Sequence, residues 1–559
     1  MALQLLQLSL SSGMAPPARN ITLAAVLALL VPYTSASYAF YVGRDLTALN
    51  ATLVGGTGEE VSSHWLQIFP AANHTSNATI TVGVTEDAVL PGKLIQVPQV
   101  NHTFRYMSME YSDFEGFPAP LTNGGVNEKG VAVRDVWANS RQELYDMTPD
   151  PQIGLQYSDL ARVVLERAST AREGVEIIGA MIKEYGYADY GGNSHLIADA
   201  NEGWVVWEFS GGKGLWAAER LGTDVVRVLY PGYIEDFPVD FQNSTDYMGS
   251  SNIVSFAVEQ GWWSPNGSEP FNIFHAYGYQ VEGENLTARD GGNKYMSQAA
   301  LEEATLAMAP VTEADMRQRV RDPRISDDEA GYGQVVSLFQ DMDPDTIRIW
   351  NAPTGSVAAP FIPWWLGVES VPPEFGEHRY LTTGASSSFL NPDFQLQEAA
   401  QFSGRMFKRV LYYMCSNPDA FHPLVTQMYT AFENQSTSDL DWVEKSAQTL
   451  ISSGERDAAK SLLQFYSHTR AEKALDLGRS LTDALDGYIK LSGQWENPVG
   501  SQINDAGEGA ETVNCLVGFD PDQPAWKQPS NATKRRRRTT SRRNVAKHNP
   551  VPVQQSIIS

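Results

Sequence analysis

Between Tyr38 and about Ser370, short runs of β-branched and aromatic residues alternate with turn residues, the pattern of a strand-rich segment. One clear helical block interrupts it. The block begins near Ser158, carries Leu160, Val163 and Val164 at helical spacing, and restarts at Thr170-Ala171-Arg172-Glu173. That tetrad predicts a capping box, after which Val175, Ile178 and Ile182 share one face before Gly186 ends the helix. Ser194–Asp199 and Trp204–Phe209 read as two strands joined through Asn201-Glu202-Gly203, a hairpin, with Val225–Leu229 as the next strand. Strands interleaved with helices that must cover their faces predict an α+β layered domain.

Beyond the proline- and aromatic-rich stretch Pro360–Pro373 the pattern changes. From about Asn391 to Leu491 a helical period runs almost throughout, with Leu411, Leu462, Leu475 and Leu485 in typical apolar positions. The segment from about Pro498 is rich in Gly, Asn, Pro and basic residues and reads as disordered. The expected organisation is therefore a leader over 1–36, a layered domain over 37–375, a helical part over 376–495 and an irregular basic tail over 496–559. No repeat of solenoid type is visible.

Composition narrows the class. A chain of 559 residues with 42% hydrophobic and 19% charged residues can bury a large core. Its formal net charge of -25 is unevenly spread, because Lys534, Arg535, Arg536, Arg537, Arg538, Arg542, Arg543 and Lys547 lie together in the tail. The rest of the chain is more acidic still, and an acidic body repels polyphosphate backbones, which argues against a nucleic-acid partner.

The first 36 residues lack acids and place Arg19 before the apolar run Ile21–Leu30, followed by Pro32 and Thr34-Ser35-Ala36. This is the form of a signal peptide cut after Ala36, too short for a comfortable membrane span. Asn-x-Ser/Thr sequons fit the same route: beyond Asn20 in the leader they stand at Asn50, Asn73, Asn77, Asn101, Asn243, Asn266, Asn285, Asn434 and Asn531. A secreted glycoprotein, or one of a vacuolar or lysosomal lumen, is the simplest expectation. Two cysteines, Cys415 and Cys515, permit one bridge at most, and neither sits in a reactive motif.

Cleavage after Ala36 makes Ser37 the first residue of the mature chain. An N-terminal Ser carries nucleophile and base together, since its α-amine, with a pKa near 8, can take the hydroxyl proton as the oxygen attacks a carbonyl. Ser37-Tyr38-Ala39-Phe40-Tyr41-Val42-Gly43 resembles the start of dipeptidase A-like enzymes, where a Cys stands six residues before a Gly. Asn123-Gly124-Gly125-Val126-Asn127-Glu128-Lys129-Gly130 resembles the G-x-N-E-x-G segment shared with bile-salt hydrolase and penicillin V acylase relatives. The run Gly191-Gly192-Asn193-Ser194-His195-Leu196-Ile197-Ala198-Asp199, followed by Glu202-Gly203-Trp204, Trp216 and Arg220, is similar to the most specific signature of that group. Trp350 with Pro360-Phe361-Ile362-Pro363 extends the likeness. The chain from about 37 to 495 thus resembles the dipeptidase A and secernin family of N-terminal-nucleophile hydrolases, with Ser37 at the position of the nucleophilic Cys.

The resemblance implies a four-layer αββα sandwich, hydrolysis of short peptides or acyl amides, and no metal or organic cofactor. It makes Asn127 the oxyanion donor, its amide or backbone N–H facing the developing charge; an Asn-containing turn is the alternative. It makes Asn193 and His195 candidates for orienting nucleophile or substrate, a structural histidine being the favoured reading of His195. The departures are as informative. The family's Arg-Asn-x-Asp segment corresponds to Gly56-Thr57-Gly58-Glu59, so its Arg is absent and Glu59 stands near the Asp. A second expected Asn falls near Pro231, leaving the second oxyanion donor unassigned. Two other classes stay open: an inactive homologue acting as a binding glycoprotein, and a carbohydrate-active enzyme, whose two carboxylates the sequence does not single out.

Overall fold

The structure, a computed structural model, describes residues 37–59, 64–112, 116–119, 121–279, 297–326, 330–378 and 399–492. The expected signal peptide, the sequons at Asn20, Asn285 and Asn531, and the basic tail lie outside the described residues. In chain order the strands are β1 (Tyr38–Val42), β2 (Thr52–Glu59), β3 (His64–Phe69), β4 (Ala72–Asn73), β5 (Thr79–Val82), β6 (Ile95–Pro98), β7 (His102–Thr103), β8 (Tyr106–Tyr111), β9 (Leu121–Asn127), β10 (Ala132–Trp137), β11 (Asn193–Ala198), β12 (Gly203–Glu208), β13 (Trp216–Leu221), β14 (Val226–Leu229), β15 (Tyr247–Gly249), β16 (Ala330–Leu338), β17 (Arg348–Ala352) and β18 (Ile362–Trp365).

Two large antiparallel sheets dominate. The first has the order β14-β1-β2-β16-β17-β18 and the second β15-β13-β12-β11-β10-β9-β8-β3. They stack face to face through a shared core that includes Tyr41, Val126, Val136, Leu196 and Val205. On the far side of the second sheet, Val133, Ile197 and Val206 pack under the helices Tyr157–Arg167 and Ala171–Tyr185 through Leu160, Val164, Val175 and Ile178. The helices Gln298–Leu306 and Glu313–Arg321 pack on strands of the first sheet, and Arg456–Ser492 packs on β18. The result is the α+β arrangement expected, with the layers α, β, β, α. Strands that bury both faces explain why their sequences are continuously apolar rather than alternating.

Local signals translate well. The hairpin forms between β11 and β12, its turn held by Asp199, whose Oδ1 accepts from the N–H of Asn201 at 2.7 Å and of Glu202 at 3.1 Å. The Thr170 side chain accepts from the Glu173 N–H at 3.1 Å, but Glu173 reaches one residue further back than expected, to the Ser169 N–H at 2.7 Å. The reciprocal capping box belongs instead to Gln156 and Asp159, at the start of the preceding helix. The helical period after 391 resolves into Ser403–Cys415, Pro418–Ser452 and Arg456–Ser492. Glu433, on the second of these, pairs in a buried fork with Arg321 and accepts from the Phe361 N–H at 2.8 Å, tying the helical part to the layered part. Cys415 is disulfide-bonded, and Cys515 lies outside the described residues.

Candidate active site

Ser37 stands half-buried at the entrance of β1, which is paired on both sides, to β14 and to β2. Alternation fixes its direction. Tyr41 sends its hydroxyl across to the second sheet, donating to the Gly222 carbonyl at 3.0 Å, and Ser37 shares the parity of Ala39 and Tyr41. The register Tyr38↔Thr57 continues to place Ser37 level with Gly58. The serine therefore belongs to the inter-sheet face at one end of the sandwich.

The glycines of β2 make room there. A Cβ on Gly58 would come within 2.4 Å of the Tyr332 ring and 2.5 Å of Asn123 Nδ2. One on Gly56 would meet the Tyr38 carbonyl oxygen at 2.0 Å and Arg134 Nε at 2.9 Å. Into the space cleared by these glycines the opposite sheet and β16 project a connected polar group. Arg134 Nη1 donates to Gln334 Oε1 at 2.8 Å, and Nη2 to the Tyr332 hydroxyl. Tyr332 Oη donates to the Asn123 carbonyl at 2.9 Å, and Asn123 Nδ2 lies 3.3 Å from His64 Nε2. The His64 ring lies between Tyr111 and Tyr332, at centroid distances of 5.0 and 5.1 Å. Below Ser37, Tyr38 stacks on Tyr230 at 3.8 Å.

Asn123 reaches this face because the β8–β9 ladder shifts register. Ser108 pairs with Gly125 and Glu110 with Thr122, so two residues of β9 oppose one of β8. Such a bulge reverses the parity of what precedes it. Gly124, at φ 133°, occupies the distorted position.

Asn127, the expected oxyanion donor, is elsewhere. Its Nδ2 donates to the carbonyls of Leu165 at 3.1 Å and Ala168 at 2.8 Å, its Oδ1 accepts from the N–H groups of Lys129 and Val131, and its own N–H donates to the Val131 carbonyl. Every polar group of the residue is engaged in closing the β9–β10 turn and the end of the helix Tyr157–Arg167. It sits at the opposite end of the sandwich, where Glu128, Lys129, Asp199, Asn201 and Gln340 line a cleft of about 510 Å³. Asn127 thus occupies the turn, the alternative the sequence offered, and neither amide faces Ser37.

Asn193 and His195 face the helical layer rather than Ser37. His195 Nδ1 lies 2.8 Å from Glu208 Oε1, its Nε2 is 3.0 Å from the Tyr157 carbonyl, and Asn193 Nδ2 donates to the Ser194 carbonyl. Glu208 beside it holds the His195 imidazole above its ordinary value against the opposing effect of burial. Burial likewise pushes Glu208 up, with His195 pulling the other way. Within the signature run His195 thus forms a buried pair with Glu208 on the helical side of the sheet. Glu59 ends β2 in the strand next to Ser37, and its side chain lies outside the described residues. The sequons at Asn50, Asn73, Asn77, Asn101, Asn243, Asn266 and Asn434 are all exposed.

Sequence reasoning missed Arg134, Gln334, Tyr332 and His64. The one available signal was an arginine inside the apolar run Val131-Ala132-Val133-Arg134-Asp135-Val136. A buried guanidinium in a strand needs a reason.

Against known proteins, residues 92–290 match one family model. That model describes peptidase family C69. The matched stretch contains the Asn123–Gly130 turn and the β11–β12 hairpin, in agreement with the dipeptidase resemblance. Curated relatives are dipeptidases by name: a probable dipeptidase of Latilactobacillus sakei is 29% identical over 196 residues, covering 34% of this chain and 38% of that protein. A probable dipeptidase B of Streptococcus pyogenes serotype M3 (strain ATCC BAA-595 / MGAS315) is 27% identical over 279 residues, covering 48% of this chain and 52% of that protein. The chain thus spans about half the length, or less, of these relatives. Among solved structures, a mutant of conjugated bile acid hydrolase from Clostridium perfringens matches 56% of this chain and 88% of its own at 12% identity, with a TM-score of 0.27. A variant of the same hydrolase gives 0.26 at 11% identity. The fold assignment rests on the two sheets and their covering helices, not on superpositions this loose.

Proposed function

We propose that this chain is a peptide hydrolase of the secretory route, cleaving short peptides through Ser37 once a leader ending at Ala36 is removed. The observation that carries the reading is the position of Ser37: immediately before a doubly paired strand, on the inter-sheet face, level with a polar group in an otherwise apolar core. The C69 match and the dipeptidase relatives support the substrate class. The exposed sequons and the disulfide at Cys415 support an oxidising, glycosylating compartment.

In the full-length chain the Ser37 nitrogen is an amide and no base. Cleavage makes it an amine. The neutral amine then accepts the Oγ proton as the Oγ–C bond forms, and returns it to the leaving nitrogen as the C–N bond breaks, leaving an ester on Ser37. Water activated by the same amine releases the acid. Asn123 Nδ2, above Gly58, is the side-chain donor best placed for the tetrahedral oxygen, taking the role first assigned to Asn127.

N-terminal sequencing and intact mass of the secreted, deglycosylated protein come first, followed by a panel of dipeptides and acyl amides with Ser37→Ala as control. A Ser37 terminus with turnover that the alanine variant lacks supports the proposal. A terminus elsewhere, or a Ser37-terminal chain that binds peptides and cleaves none, refutes it and favours a non-catalytic binding glycoprotein.

A further inference from the structure

Arg134 is a buried charge with neutral partners. Its side chain is 1% exposed and ends against Gln334 Oε1 and Tyr332 Oη, while Nε has no hydrogen-bond partner. Gln334, also 1% exposed, likewise leaves Nε2 unpaired. Among the described residues no acid forms an ion pair with Arg134. The titratable groups around this end of the inter-sheet face are Tyr332 from β16, His64 from β3, Tyr38 from β1 and Tyr230 after β14; β2 ends in Glu59. Asp135 acts on Arg134 from the other face of β10, where it is grouped with His195 and Glu208. The guanidinium therefore stands beneath the start of β1 with no acid in contact on its own side among the described residues.

A guanidinium cannot release its proton, so it cannot escape the cost of burial by neutralising. What it can do is disfavour a second cation nearby. Its Nε and the Tyr38 carbonyl oxygen would touch the same Cβ on Gly56. Ser37 is one residue further along the strand, which puts its α-nitrogen about 7 Å from that carbonyl by backbone dimensions. The guanidinium and that nitrogen are thus about 7–12 Å apart, and two positive charges at such separations in a protein interior repel enough to bring the ammonium proton off about one to two pH units early.

We propose that Arg134 is a positioning residue for the Ser37 reaction, holding the α-amine exposed by leader removal in its neutral, proton-accepting form. The inference rests on Ser37 as the N-terminal nucleophile. It gives the buried charge a purpose: the base is ready at neutral pH, and the ammonium formed during attack is driven to pass its proton on to the leaving nitrogen. Gln334 and Tyr332 fix the guanidinium without cancelling it.

The test uses mature protein beginning at Ser37 and reads the amine directly, by the pH dependence of its reductive methylation followed by mass spectrometry of the N-terminal peptide. The acid limb of kcat/KM is measured beside it. Wild type should titrate about one to two pH units below an ordinary terminal amine. Arg134→Met should return the midpoint to the ordinary range, and Arg134→Lys should stay near wild type. If the methionine variant does not fold, Gln334→Glu makes the same test by supplying the missing counter-charge, and should raise the midpoint similarly. A wild-type midpoint near 8, or one unmoved in Gln334→Glu or a folded Arg134→Met, overturns the inference. A low midpoint that rises as described, in a protein that hydrolyses nothing, sustains the charge effect and sinks the catalytic reading instead.

Discussion

Replacing Asp135 by asparagine isolates one buried carboxyl whose cost depends on pH. Asp135 lies on the helical face of β10, opposite His195 in register, with its Oδ1 unpaired among the described residues. Burial pushes its carboxyl up to about 6, against the pull of His195 and then of Arg134. The unfolded chain releases this proton near 4, whereas the folded chain keeps it to about 6. A raised acid contributes stability that is fully present below pH 4 and lost as the pH climbs through about 6. Two pH units correspond to about 3 kcal/mol, with the attraction of the charged form to His195 already included. Asp135→Asn keeps the shape and removes the titration. Urea unfolding at pH 4 and pH 8 should show the variant close to wild type in acid and more stable by up to about 3 kcal/mol at pH 8. A difference independent of pH, or one that grows toward acid, would refute the reasoning.

Two further outcomes follow from buried contacts. Asn127→Ala removes a side chain with four hydrogen bonds and should cost about 2–4 kcal/mol in unfolding free energy while leaving kcat/KM of folded protein within about threefold; a large kinetic loss at unchanged stability would restore Asn127 to the site. Glu433→Gln breaks the fork with Arg321 and leaves that guanidinium buried, so a loss of about 3–5 kcal/mol is expected by thermal or urea unfolding, and a loss below 1 kcal/mol would show that the pair does not hold the helical part in place.

The sequence by itself determined what depends on neighbours along the chain: the Thr170 cap, the β11–β12 hairpin, the three late helices, and Ser37 at the mouth of a strand. These signals reside in side-chain periods and short polar motifs, which act over a few residues. Even the family likeness was legible, because its matching runs are contiguous. Which face and which end each residue occupies was decided only by the tertiary structure. Asn123 and Asn127 belong to one motif, yet a single bulged residue at Asn123–Gly124 turns the first toward Ser37 while strand length carries the second about 13 Å away. Asp135 and Arg134 are adjacent, and alternation sends one to the helices and the other under Ser37. Arg134, Gln334 and Tyr332 meet across about 200 residues of chain, in room left by Gly56 and Gly58. No local pattern encodes that meeting, because it arises only when the two sheets stack.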